Sequence, residues 1–313
     1  MSDYATLAGP NTVRLERLLP GPIERVWSYL ADSDKRATWL AAGPLPTQPS
    51  TDFTLHFQHA KLSIDPTPTP ESFREFDVPF DSQHRLLRSE PPHFLSFTWG
   101  GGIDGAPSIV TIELTPQADK VRLVLTHSQL AGQSTMAQVA GGWHTHFDIL
   151  IDRLNDREPP SFWTTFANRH AAYSDLFTSV TVTHALPVPP ERAFAACVDP
   201  ALVDQWLFTG PTSEAHAVDL DVHVGGKWKI TDRRDGADYT AIGEYLEIAP
   251  PHRLLFTFGM PQFSPEFGRV LIEITPTPTG CQFTLTQKDL PYEYQAPTRE
   301  GWQQMLPQLA AIV

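Results

Sequence analysis

Two histidines in the middle of the chain have the residue type for metal chemistry, but their spacing argues against it. His144 and His146 lie two residues apart in a segment with helical periodicity, so they diverge by about 200° around the helix. They cannot hold one metal ion, and the sequence predicts no metal site. Because His146 follows Trp143 by three residues, we expect it near the buried face of that helix. We expect His144 to point to the rim or to solvent.

A glycine-rich segment, residues 100–105 (GGGIDG), satisfies the spacing of dinucleotide-binding loops. That pattern binds a pyrophosphate only where a helix follows the loop. Here Ala106-Pro107 leads directly into the alternating segment Ile109–Thr115, so a hairpin loop is expected and no nucleotide cofactor. The sequence also has no G-x-S-x-G, P-loop, H-E-x-x-H or C-x-x-C motif, and we name no catalytic residue and no cofactor.

Composition limits the classes of partner. The chain is 41% hydrophobic and 19% charged, which is typical of a globular protein, and its formal net charge is −13. Neither half offers a cluster of basic residues, so nucleic acid and anionic membrane are not expected partners. No basic leader or apolar run of about 18 residues occurs, and a cytoplasmic location is expected. Cys197 and Cys281 are expected to be reduced and partly buried.

The sequence contains a long internal repeat. Residues 13–40 match residues 180–207 at a constant offset of 167, without a gap. Farther along, Gly142-Trp143 matches Gly301-Trp302 at an offset of 159. The repeat therefore spans a whole domain. We predict two domains, residues 1–177 and 178–313, with an extra helix over residues 159–177 packed on the first.

Each repeat indicates the same order of elements: a strand, two short helices, several antiparallel strands and a long helix. Asp32 and Asp199 each precede a short helix and are expected to cap it. Strand alternation places Leu95, Phe97 and Trp99 on one face, as expected for a sheet with one buried side. The terminal helix of the second repeat is expected to be shorter than that of the first, and kinked or broken at Pro307.

The ordered motifs P-x-E-R-x-(W/F), D followed by W-L, Val224-Gly225-Gly226-Lys227-Trp228, P-P-H-x-L-x-F and G-W resemble one protein family. The chain is similar, twice over, to the activator-of-Hsp90-ATPase-homologue branch of the START/Bet v 1 superfamily. This resemblance implies tandem α+β helix-grip domains, in which a curved antiparallel sheet grips the C-terminal helix, often around a hydrophobic cavity. The first copy departs from the pattern, because it lacks the Gly-Gly-Lys-Trp segment and has an insertion near Pro66–Pro70.

Inward aromatic residues, one histidine and one methionine are the candidates for lining such a cavity. Each of them is also a plausible core residue, and the sequence leaves both readings open. In the first domain they are Trp99, Trp143, His146 and Phe147; in the second they are Trp228, Phe256, Phe258, Trp302 and Met305. The second domain is the preferred location, because its Gly225-Gly226 turn fits the family pattern.

Fold alone does not decide function in this superfamily. The favoured hypothesis is a non-enzymatic binding protein that holds a small apolar ligand or acts as a stress-linked accessory factor. The alternative is a co-chaperone-like partner of Hsp90. Its effect is expected to be weak, because we find no separate activating domain before the first repeat. A third possibility, a cyclase or aromatase, needs polar groups that converge in a cavity, and His146 is the only candidate.

Overall fold

The computed structural model describes residues 3–65, 67–209 and 212–313. The chain divides into two compact units, Met1–Phe177 (unit 1) and Thr178–Val313 (unit 2). Each unit has a seven-stranded sheet, two short helices and a long helix that follows the last strand. The α+β helix-grip architecture expected for both repeats is confirmed.

Unit 1 contains seven strands and four α-helices. The strands are β1 (Thr6–Gly9), β2 (Thr12–Pro20), β3 (Asp52–Phe57), β4 (Phe80–Glu90), β5 (Phe94–Trp99), β6 (Ser108–Gln117) and β7 (Lys120–Ser128). The helices are α1 (Ile23–Ala31), α2 (Ser33–Ala37), α3 (Gly132–Leu154) and α4 (Phe162–Phe177). Short 3-10 turns cover His59–Lys61, Glu71–Phe76 and Ile103–Gly105. Helix α4 begins three residues after the start expected for the extra helix.

Unit 2 repeats this order without a counterpart of β1 or α4 among its described residues. Its strands are β8 (Val180–Leu186), β9 (Ser213–Leu220), β10 (Lys227–Arg234), β11 (Ala237–Ala249), β12 (Arg253–Phe258), β13 (Gly268–Thr277) and β14 (Gly280–Lys288). Its helices are α5 (Pro190–Val198), α6 (Pro200–Val203) and α7 (Tyr292–Ile312).

Both sheets are antiparallel, and the long strand that opens each repeat pairs with the strand that closes it. The order is β1-β2-β7-β6-β5-β4-β3 in unit 1 and β8-β14-β13-β12-β11-β10-β9 in unit 2. The register of the central strands also repeats, since Val110 lies opposite His127 and Val270 lies opposite Gln287. Structurally equivalent residues in the two sheets can therefore be compared one by one.

Local sequence explains where the elements begin. The Asp32 side chain accepts a hydrogen bond from the Lys35 backbone N–H, and Asp199 accepts one from that of Ala201, so both predicted caps are present. Residues 100–105 lie in the loop between strands β5 and β6, as expected, and the helix that a nucleotide-binding motif requires does not follow them. None of the described helices combines the length and apolar character needed to cross a membrane.

Helix α3 is covered on two sides. Its Trp143, Phe147 and Leu150 are buried against the sheet. Helix α4 packs so closely on the other side that a Cβ atom added to Gly141 would lie 3.1 Å from the His170 backbone nitrogen. This double coverage buries almost every side chain in the middle of α3.

Helix α7 is shorter than α3, as expected, but it is not broken at Pro307. It runs unbroken over 21 residues, only two fewer than α3, and includes both Pro297 and Pro307. Pro307 is exposed, while Trp302, Met305 and Leu309 on the opposite face are buried in the core of unit 2. Burial of that apolar face offsets the hydrogen bond that proline cannot donate, so the helix continues through Pro307.

Candidate functional site

Unit 1 contains a cavity of about 590 Å³ between its sheet, helix α3 and helix α4. Trp99 enters it from the end of β5, Trp143 from α3, and Phe162 and Trp163 from the start of α4. Nine aromatic side chains line it in total. The others are Phe57, Phe73, Phe76, Phe80 and Phe166.

Part of this wall comes from the insertion between β3 and β4. Phe73 stacks on Trp163 with ring centroids 5.6 Å apart and an interplanar angle of 10°. Phe76 and Phe80 are about half exposed and line the cavity, which places its opening at the insertion. The insertion that sets the first repeat apart from the second therefore supplies part of the cavity wall.

Three histidines of the cavity wall are kept neutral by burial. Burial lowers the pKa of His59 to about 4 and the pKa values of His127 and His146 to about 3. His59 lies stacked on Phe162 at 4.2 Å, and its ring is 5.6 Å from that of His146. At neutral pH these imidazoles add polar edges to the aromatic wall but no charge.

The tautomer of His127 follows from its neighbours. The Trp143 indole N–H donates to Nδ1 of His127 at 3.1 Å, so Nδ1 is unprotonated and the proton of the neutral ring is on Nε2. Nε2–H then donates to the Ser108 hydroxyl at 2.8 Å, and that hydroxyl donates to the Gly100 carbonyl oxygen at 2.8 Å. The side-chain polar atoms of Trp143, His127 and Ser108 therefore all have hydrogen-bond partners within unit 1.

This arrangement is the reverse of a serine nucleophile with its base. A histidine that activates serine must accept the hydroxyl proton at one nitrogen while a carboxylate holds the proton on the other. In unit 1 an indole donor occupies the carboxylate position, and the nitrogen that faces Ser108 already carries the proton. The Ser108 hydroxyl is also fully buried, so the pair is structural.

His146 lines the cavity and is held by one strong contact. Its Nδ1–H donates to the Trp39 carbonyl oxygen at 2.7 Å, which leaves Nε2 as the acceptor of the neutral ring. Phe147, in contrast, is not among the lining residues. It is fully buried between Trp39 and Trp143, with ring centroids at 5.9 and 5.8 Å, and belongs to the core.

The expectation for His144 was wrong. Its side chain is 1% exposed, and its Nδ1 lies 2.8 Å from the Tyr173 hydroxyl, which also accepts from the Ala5 backbone N–H at 2.7 Å. Burial and the charges of Arg17 and Arg169 lower its pKa to about 3. His144 is buried because helix α4 covers the side of α3 that would otherwise face solvent.

Unit 2 has two separate spaces. A cavity of about 760 Å³ is lined by Phe258, Trp302 and Met305 and also by polar side chains, including Arg234 and Gln287. The other predicted residues, Trp228 and Phe256, line with Trp302 a narrow void of about 20 Å³, which is at most the size of one water molecule. The predicted set is therefore divided between a cavity and the core.

The described residues do not assemble nucleophiles or metal ligands in either space of unit 2. Cys197 borders the narrow void, and burial raises the pKa of its thiol to about 12, so the reactive thiolate is not formed at neutral pH. Among residues 3–65, 67–209 and 212–313, no group of three histidine, cysteine or acidic side chains could hold a metal ion.

Sequence reasoning missed several cavity residues in unit 1. His59 and Phe73 lie in the insertion, and Phe162, Trp163 and Phe166 lie on α4. The aromatic content of residues 155–179 was a usable signal, since it indicated a packed helix. What that helix covers depends on tertiary structure.

Comparison with known proteins finds a matching family model and several similar solved structures. The model of the family described as activator of Hsp90 ATPase homolog 1-like protein matches residues 20–155 and 187–313, one span in each unit. No curated protein matches the chain. Several solved structures match about half of it.

Three of these structures, all of bacterial proteins, illustrate the similarity. A protein from Bordetella parapertussis, solved by solution NMR, is 49% identical over 55% of this chain and 89% of its own, with a TM-score of 0.49. A protein from Chromobacterium violaceum is 28% identical over 44% of this chain and 96% of its own, with a TM-score of 0.39. The AHSA1-like protein from Aeromonas hydrophila is 18% identical over 43% of this chain and 91% of its own, with a TM-score of 0.39.

The two spans of the family match cover most of the chain, and they confirm the resemblance that the motifs indicate. The chain belongs to the activator of Hsp90 ATPase homolog 1-like family, and it carries two copies of the family's domain in tandem.

Proposed function

We propose that this protein is a non-enzymatic binding protein whose unit 1 holds a small, uncharged, planar aromatic molecule. The observation that carries the proposal is the cavity of about 590 Å³ with nine aromatic side chains in its wall. Ligand pockets typically enclose about 300–1,000 Å³, so the cavity has room for a molecule of two or three fused rings. Aromatic walls favour flat ligands, because offset stacking and edge contacts add to the burial of apolar area.

Charge supports an uncharged ligand. The imidazoles of His59, His127 and His146 are neutral, and Glu75, the one acidic side chain in the wall, is exposed. An ion would lose its hydration in such a cavity without gaining a partner of opposite charge. A neutral molecule loses much less hydration free energy on entering the cavity.

The arrangement of polar groups supports binding over catalysis. His127 is locked by Trp143 and Ser108 in a tautomer that cannot accept the serine proton, and Nδ1 of His146 is occupied by the Trp39 carbonyl oxygen. General acid–base catalysis at neutral pH works best with a group whose pKa is near 7. Burial moves the pKa values of His127 and His146 to about 3.

Filling the cavity tests the proposal without removing a core residue. Gly142 lines the unit 1 cavity, and a Cβ atom added there would lie 4.0 Å from Phe166, so Gly142→Leu would place its side chain in the empty space. Gly301 is the matched control, because it occupies the equivalent helix position and lines the unit 2 cavity. Leucine is also a better helix former than glycine, so both variants are expected to fold.

The probe is 1-aminoanthracene, a neutral three-ring fluorophore whose emission rises in an apolar site. We expect saturable binding to the full chain, loss of at least about tenfold in affinity for Gly142→Leu, and little change for Gly301→Leu. Circular dichroism verifies that each variant is folded. No saturable signal, or equal binding by Gly142→Leu, would remove the aromatic-ligand proposal.

A second candidate function rests on the family itself. The matching family is described as activator of Hsp90 ATPase homolog 1-like, which favours a contact with an Hsp90-type chaperone. The test is the ATPase rate of the organism's own Hsp90 homologue with and without the purified chain. Stimulation that saturates near one chain per chaperone protomer supports this function, and an unchanged rate removes it.

A further inference from the structure

We propose that unit 2 has a second binding site, at the side-chain amide of Gln287, for an uncharged molecule with an apolar body and a carbonyl oxygen. This site lies in the other unit and does not depend on the function proposed for unit 1. Its basis is the side-chain NH₂ of Gln287, a residue that is 4% exposed, which the fold orients at the cavity wall without an acceptor among the described residues.

The orientation of Gln287 is fixed by Trp302. Gln287 is 4% exposed on strand β14, and it accepts the Trp302 indole N–H at 2.7 Å. An indole nitrogen only donates, so its partner must be the amide oxygen, and the NH₂ group must be on the other side. Gln287 lines the cavity of about 760 Å³, and its NH₂ has no hydrogen-bond partner within the described residues.

Comparison with unit 1 shows that the acceptor for the Gln287 NH₂ is missing from the described residues of unit 2. Gln287 occupies the place of His127 because the strand registers coincide, and Trp302 corresponds to Trp143 in the sequence repeat. In unit 1 the inward donor of His127 is satisfied by the Ser108 hydroxyl. The residue equivalent to Ser108 is Gly268, so unit 2 has no hydroxyl at this position.

The backbone leaves no room to restore that hydroxyl. A Cβ atom added to Gly268 would lie 3.8 Å from Nε2 of Gln287, which confirms that the amide faces this point. The same atom would lie 2.7 Å from the Lys288 carbonyl oxygen, closer than real Cβ atoms approach backbone. The acceptor for the Gln287 amide must therefore come from outside the sheet.

A carbonyl oxygen in an apolar molecule meets both requirements. The Gln287 NH₂ is held in a fixed orientation at the cavity wall, so a ligand acceptor that reaches it replaces a hydrogen bond to water with one to the ligand. The surrounding wall is mainly apolar, with Phe258, Met260 and Met305 among the lining residues. A ligand with a hydrophobic body and a single acceptor is complementary to this combination.

Charge decides between a neutral carbonyl and a carboxylate. Arg234 lines the same cavity, but its guanidinium is already paired with the Asp232 carboxylate, which is 1% exposed, and it donates to the Phe208 carbonyl oxygen at 2.8 Å. Unit 2 as a whole has 9 basic and 16 acidic residues. No uncompensated positive charge is left at Arg234 to attract an anion, so the neutral carbonyl is favoured.

Three probes of similar size test this chemistry on the full chain: 4-phenylbutan-2-one, butylbenzene and 3-phenylpropionate. Binding is followed by ¹H–¹⁵N NMR at the Trp302 indole N–H and the Gln287 side-chain NH₂. We expect the ketone to bind about tenfold more tightly than the hydrocarbon and the carboxylate, and to shift the Gln287 NH₂ signal downfield. Equal affinity of ketone and hydrocarbon, or tighter binding of the carboxylate, would overturn the proposal.

A variant then assigns the preference to one residue. Gln287→Met keeps the shape and offers Trp302 a weak sulfur acceptor, but it has no donor for the ligand. The ratio of ketone to hydrocarbon affinity is expected to fall to about one. Gln282→Met, the same change on the outward face of β14, is expected to keep the ratio. Should Gln287→Met not fold, the NH₂ shift in the unaltered protein still decides the question, and an unmoved signal with bound ketone contradicts the proposal.

Discussion

The indole N–H of Trp143 donates to Nδ1 of His127 at 3.1 Å, and in unit 2 the equivalent Trp302 donates to Oε1 of Gln287 at 2.7 Å. Both units thus use a tryptophan of the long helix to orient a polar side chain on the last strand. The units differ in the next hydrogen bond, which Ser108 completes in unit 1 and Gly268 cannot supply in unit 2. The hydrogen-bond series that starts at the tryptophan is therefore complete in unit 1, whereas in unit 2 it ends at the Gln287 NH₂, which has no acceptor among the described residues.

The complete hydrogen-bond series in unit 1 is expected to stabilise the fold. Ser108→Ala would leave Nε2–H of His127 buried without an acceptor, which we expect to lower the free energy of unfolding of unit 1 by about 1–3 kcal/mol. The measurement is urea denaturation followed at the Trp143 indole resonance. Ser96→Ala is the control, because its hydroxyl donates to the Val110 carbonyl oxygen and its other partner, the Thr111 hydroxyl, is only half-buried. Equal losses in the two variants would contradict the role assigned to Ser108.

Acid is expected to unfold unit 1 before unit 2. The pKa values of His59, His127 and His146 are lowered by burial to between about 3 and about 4, whereas an unfolded histidine has a pKa near 6.5. Below pH 6.5 the unfolded state therefore binds protons that the folded state does not. As the pH falls, each of these histidines lowers the free energy of unfolding of unit 1 by about 1 kcal/mol per pH unit, until the pH reaches its pKa in the folded state.

Unit 2 supplies the internal comparison for this pH dependence. The pKa of His223 is raised by its hydrogen bond to the Val224 carbonyl oxygen and by Asp221, so its contribution has the opposite sign and is present below pH 6.5. Urea midpoints at pH 7, 5.5 and 4.5, read at Trp143 and Trp302 in one sample, follow both units. Earlier loss of the Trp302 signal would show that the buried histidines do not control acid stability.

The two cysteines are expected to report on the opening of unit 2. Cys197 and Cys281 are buried and unpaired, and burial raises the pKa of both thiols. Ellman's reagent attacks only accessible thiolates, so we expect almost no reaction over an hour with the native protein and two thiols per chain in guanidinium. Reaction within minutes under native conditions would mean that this core opens readily.

Replacing the exposed proline of helix α7 is expected to stabilise unit 2. Pro307→Ala restores a backbone donor and removes the ring, while Trp302, Met305 and Leu309 continue to hold the buried face. We expect a gain of about 1–3 kcal/mol in the free energy of unfolding, measured through the denaturant dependence of thiol exposure. Gln303→Ala, at an exposed position of the same helix, should gain only a few tenths of a kcal/mol. A loss of stability for Pro307→Ala would show that the ring makes contacts that matter.

The cavities could be anticipated only in part. Strand and helix periodicity indicated that Trp99, Trp143, His146, Phe258, Trp302 and Met305 face inward, and the structure places all six around cavities. The same periodicity could not separate them from Phe147, Trp228 and Phe256, which pack in the core or around a narrow void. Inward direction is a property of one element, whereas empty space depends on how several elements meet.

The repeat, the order of elements, the caps at Asp32 and Asp199, and the family follow from the amino-acid sequence, because each depends on residue type and spacing along the chain. The burial of His144 and the continuation of α7 through Pro307 do not, because packing from distant segments outweighs local preference at both places. The same holds for the Gln287 amide. Its unsatisfied donor arises from the register that sets it beside Gly268, and a register brings together residues that the chain keeps apart.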